Sequence, residues 1–123
     1  MEKSEKKEYL SEYIWIDRRI QMIDRELQHT ILYNVGCNGK KAETDEVKYI
    51  LKKEQLDNKK KELLRKKERI EKAVQAVQDN LERIMLHSMY INGMTAMEIS
   101  SEMHISERTV YQIIDDAVNR MDV

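Results

Sequence analysis

From Tyr49 to Ile91 an apolar side chain stands at every seventh position: Tyr49, Leu56, Leu63, Ile70, Val77, Ile84 and Ile91. Seven residues are close to two helical turns, so such a row runs along one side of an α-helix, whereas a strand would need a period of two. Nothing in the chain opposes long helices. It has no proline and only three glycines, and Lys, Glu, Arg, Leu, Met and Gln dominate it. The expected fold class is therefore all-α. The companion row is weaker: Lys53, Lys60 and Lys67 precede Val74 and Leu81. Lysine stems can flank a narrow seam while their ammonium groups stay in water. A helix over about 45–78 with so thin an apolar stripe needs a partner to be stable.

The natural partner is a first helix over about 4–33. Tyr9, Tyr13, Ile16, Ile20, Ile23 and Leu27 alternate four- and three-residue steps, the seam of a coiled coil or helical hairpin. Between the two helices, residues 34–44 contain Gly36, Gly39, Asn34 and Asn38 and read as a mobile loop, with Thr44 as the next helix start. The expected organisation is a long antiparallel helical hairpin, coiled-coil-like, over 1–79 as an oligomerisation arm, followed by a compact helical unit over 80–123. Each stripe is too narrow to bury itself well, so a homo-oligomer, a dimer, is expected.

Gln78-Asp79-Asn80 interrupts the basic helix. Leu81 to Ile91 then reads as one helix with Leu81, Ile84, Met85, Met89 and Ile91 inward, stopped by Asn92-Gly93, where glycine suits a left-handed backbone. Thr95 with Glu98 three residues on is a capping box. Ile99 and Met103 face inward, Met103 to Ser106 make a turn, and Ser106 caps the last helix. His104 in that turn suits a left-handed position better than most residues. Ile105 is expected to plug the gap between the two helices. Val110, Ile113, Ile114, Ala117, Val118 and Met121 form the inner face of the last helix. Glu107, Arg108, Tyr111, Gln112 and Asp115 are left outward near its start. That is the geometry of a helix-turn-helix whose second helix enters a major groove, where Arg forks to guanine and Gln to adenine.

Residues 81–121 resemble region 4 of bacterial sigma factors. They are most similar to small phage and prophage proteins that carry such a motif behind a helical hairpin, the late-gene activators of the RinA and ArpU type. The likeness rests on Arg83, Tyr90, Gly93, Thr95, Glu98-Ile99, Ile105-Ser106, Val110, Ala117 and Met121, and more loosely on Tyr9-Leu10 and Ile16-Asp17-Arg18-Arg19-Ile20. The resemblance implies a sequence-specific regulator of transcription, phage or prophage encoded, acting on double-stranded DNA in the cytoplasm of a bacterial host. The expected DNA-binding residues are Thr95, Ser106, Glu107, Arg108, Thr109, Tyr111 and Gln112, with RNA polymerase as a second candidate partner.

The charge pattern bears on this reading. The net charge of −1 conceals +5 over 48–80 and −4 over 81–123. The cations lie outside the helix-turn-helix, and Lys59, Lys60 and Lys66 are candidate phosphate contacts. The interleaved Glu54, Asp57, Glu62, Glu68 and Glu71 equally suit a plain solvated helix face. An acidic helix-turn-helix also suits an adaptor that docks on polymerase or another regulator. The small subunit of a phage DNA-packaging machine is a further alternative with similar parts.

No enzyme is expected. Cys37 is alone in a Gly/Asn loop, and His29, His87 and His104 lie on three segments without metal-ligand spacing, so neither metal nor cofactor is expected. Trp15 lies just off the first seam and suits the core or a dimer interface. No apolar run approaches membrane-spanning length, and Met1 to Glu8 is charged, unlike a signal peptide.

Overall fold

The computed structural model describes the backbone of residues 2–36 and 43–123, and the side chains of 2–29 and 48–123. The chain is all-α: among the described residues, every regular element is a helix. Helix α1 spans Lys3–Gly36 and α2 spans Glu43–Gln75. Helix α3, Asn80–Leu86, runs into one wide π turn, His87–Ile91. Helices α4 (Ala96–Met103) and α5 (Glu107–Arg120) follow. The loop expected over 34–44 is helical at 34–36 and at 43–44, and its centre, with Cys37, lies outside the described residues.

The chain divides into two compact units. The second, Ile16–Arg65, is a stretch of α1 beside a stretch of α2. Ile16, Ile20 and Ile23 of α1 are buried, as the seam spacing predicts, while Leu56, Lys60 and Leu63 of α2 are half-buried. The Lys60 ammonium reaches Asp24 at 2.6 Å, so a lysine in the seam satisfies its charge across the helix pair.

The first unit joins residues 1–15 to residues 66–123. Leu10 and Tyr13 of α1, Ile70 and Val74 of α2, and Met85, Leu86, Tyr90, Ala96, Ile99, Val110, Ile114, Ala117, Val118 and Met121 are all buried in it. Helix α5 packs on α3 and α4. The ends of the two long helices add Leu10, Tyr13, Ile70 and Val74 to the core that the three short helices share. At their contact, the Tyr13 hydroxyl lies 2.5 Å from Glu71 Oε1 and the Lys67 ammonium sits 5.3 Å from the Tyr13 ring centre.

Two sequence expectations fail here. Leu81 and Ile84 are not inward; they are 43% and 51% exposed, while Leu86 and Tyr90 are buried instead. The row from Tyr49 to Ile91 does not continue across the break. Helix α2 ends at Gln75, Arg83 donates to the Val77 carbonyl at 2.9 Å, and the Asp79 side chain caps α3 by accepting from the Glu82 amide. The new helix starts with its own rotation. Seven of the eleven residues from Leu81 to Ile91 are apolar, so spacing alone could not choose the inner face. Trp15, expected in the core or at a dimer interface, is 68% exposed, so of these two places the core does not hold it.

Candidate nucleic-acid interface

The α4–turn–α5 pair is fixed by its caps. Thr95 and Glu98 form the expected capping box: the Glu98 amide donates to Thr95 Oγ1 at 3.2 Å, and the Thr95 amide donates to Glu98 Oε1 at 3.3 Å. Helix α4 ends on His104 in the left-handed region, φ 56°. The Ile105 amide returns to the Ser100 carbonyl at 3.2 Å, and the Ser100 hydroxyl donates to the Ile105 carbonyl at 2.5 Å. Ser106 then caps α5, accepting from the Thr109 amide at 3.1 Å, with the two hydroxyls 2.8 Å apart. Three residues therefore join two helices with a backbone path held from both sides.

This geometry sorts the expected DNA-binding residues into two groups. The Thr95 and Ser106 hydroxyls accept the capping amides of α4 and α5, and the Thr109 hydroxyl is hydrogen-bonded to that of Ser106. Glu107, Arg108, Tyr111 and Gln112 are exposed, Tyr111 by 52%. Arg108, Tyr111, Gln112 and Asp115 recur at helical spacing on the face opposite buried Val110, Ile114, Ala117 and Val118. Ile113, expected inward, is half-buried. Of the candidate phosphate contacts, Lys59 and Lys66 are exposed and Lys60 is paired with Asp24. Lys59 and Lys60 belong to the second unit and Lys66 to the first.

Spacing did not foresee that α1 reaches the far end of this face. Lys3 lies 3.7 Å from Asp115, and Lys7 makes both an ion pair and a hydrogen bond with the same carboxylate. Lys6 donates to the Asn119 and Met121 carbonyls at 3.2 and 2.7 Å, satisfying the end of α5. The Lys7 hydrogen bond, with the charges of Lys7 and Lys3, holds the Asp115 carboxyl below its ordinary value. Burial, and then the negative charge of Asp115, push the Tyr90 hydroxyl above its own. A signal for this contact does exist in the sequence. Lys3, Lys6, Lys7 and Leu10 share one face of α1, but only the tertiary fold says that the face meets α5. On the other flank Arg120 pairs with Glu82.

No helix among the described residues is long and apolar enough to cross a membrane. Among the same residues no three His, Cys, Asp or Glu side chains gather as a metal site would need.

No curated protein and no solved structure matches the chain. One family model does, over residues 31–122, and it is described as a protein of unknown function. The match covers the end of α1 and all of α2, α3, α4 and α5, and on it the chain belongs to the DUF1492 family.

Proposed function

We propose that this chain is a sequence-specific DNA-binding regulator of transcription that acts as a homodimer and reads the major groove with the leading turns of α5. One observation carries the reading: Glu107, Arg108, Tyr111 and Gln112 are exposed together at the start of a helix whose approach is fixed by the Ser106 cap and the His104 turn. An Arg and a Gln at that end have the donors and acceptors to fork to guanine and adenine. In the second unit the exposed Ile50, Leu51, Leu64 and Met22, and in the first unit separately Trp15, are apolar surface available to a second copy. Lys59, Lys60 and Lys66 remain candidates for phosphate contacts.

The test is selection of a preferred duplex from a random pool, followed by anisotropy titration. Arg108→Ala and Gln112→Ala should each reduce preference for the selected site over random DNA, with about 1–3 kcal/mol of discrimination lost per side chain. Light scattering on the same sample should give twice the chain mass. Failure to enrich any sequence, with no binding at low salt, would refute the reading.

A second reading is favoured by the exposed Glu102, Glu107 and Asp116 on α4 and α5. These carboxylates repel phosphate and suit a basic protein surface, and RNA polymerase is the candidate partner that this reading names. Binding of purified polymerase that persists when duplex binding is absent would select it.

A further inference from the structure

The helix-turn-helix is acidic, and a duplex-binding face needs cations that reach phosphate. We propose that the first two turns of α1 supply them: Lys3 and Lys7, brought to the far end of the exposed face of α5, contact DNA phosphates on the side of the groove opposite Arg108. The inference rests on the DNA-binding reading and adds to it residues outside the motif.

Arg108 and Asp115 are seven residues apart on one helix, hence on one face and about 10 Å apart along the axis. Tyr111 and Gln112 lie between them. The Lys3 and Lys7 ammonium groups gather at Asp115, so cationic groups stand at both ends of the row that would read bases. That span is close to the ~12 Å width of a major groove, where phosphates line both edges. The Lys3 and Lys7 side chains remain 45% and 35% exposed although paired, so water or a phosphate oxygen can reach them. One carboxylate, Asp115, is shared by two ammonium groups, so it cannot neutralise both. Glu5 and Glu8 fall on the side of α1 away from Lys3, Lys7 and buried Leu10. Lys6 is occupied with the carbonyls of α5 and fixes the approach of α1.

Asp115 makes the idea testable, because a purely structural ion pair and a phosphate contact predict opposite results for its removal. The measurement is anisotropy of a fluorescein-labelled duplex across a salt series, with the full chain. Lys3→Gln with Lys7→Gln should lower the slope of log affinity against log salt by roughly 1 to 2, and weaken selected and random duplexes alike. Lys3→Arg with Lys7→Arg should keep the slope. Asp115→Asn removes a competing carboxylate and should tighten binding to every duplex several-fold. If the ion pair merely holds α5 in place, Asp115→Asn weakens binding as the double glutamine change does, and the proposal is overturned. An unchanged salt slope in the double glutamine protein, with wild type binding well, also overturns it while leaving the DNA reading intact. A wild type that binds no duplex at any salt overturns both.

Discussion

Gly93 has φ 72°, and a methyl group placed on it would lie 3.2 Å from Ile14 Cδ1. Both facts oppose a side chain. The left-handed backbone costs an ordinary residue about 1–2 kcal/mol, and the tip of the Ile14 side chain would have to give by a few tenths of an ångström. Gly93→Ala should therefore destabilise the protein by about that amount in a urea titration, and an unchanged midpoint would mean that the turn relaxes freely. His104 occupies the same backbone region at the end of α4 without being glycine. Both positions were legible in the sequence, the first as a glycine after a helix and the second as a tolerated histidine. The burial of Leu10 beside Ile14 was not, because Tyr9 one residue earlier fits the seven-residue pattern as well.

Among the elements, α5 carries the candidate interface and is the one most plainly written in the sequence. Its apolar positions keep a 3.6 period, and Val110, Ile114, Ala117, Val118 and Met121 are buried as that period requires. Its start depends on Ser106, whose oxygen serves the Thr109 amide. Ser106→Ala should cost about 1 kcal/mol of stability. It should also fray the turn bearing Glu107 and Arg108, so amide hydrogen exchange should rise at the start of α5 and not at Ala117 or Val118. Equal exchange along the helix would show that the cap does not set its beginning. Helix α3 is the contrary case. Its apolar residues are too many to define one stripe, and the π turn shifts the later ones again.

At the scale of the molecule, the candidate interface stands on a core to which five helices contribute. Leu10, Tyr13, Ile70 and Val74 are buried in the same unit as the three C-terminal helices. A fragment of residues 80–123 should therefore lack the cooperative thermal transition of the full chain in circular dichroism, even though it holds the whole motif. A sharp transition in the fragment would show that the long helices are dispensable. The same dependence explains why Leu10, fully buried although far in sequence, should cost about 2–5 kcal/mol when replaced by Ala.

The sequence by itself determined that the chain is helical, where most helices begin and end, and which side of α5 is apolar. Those properties follow from local propensity, from caps three residues away, and from periodicity within one helix. Only the tertiary structure decided which face of α3 turns inward, that Trp15 stays outside, and that Lys3, Lys6 and Lys7 meet α5 across more than a hundred residues. Those outcomes are set by how helices from distant parts of the chain share one small core, and no spacing within a single helix encodes the choice of neighbour.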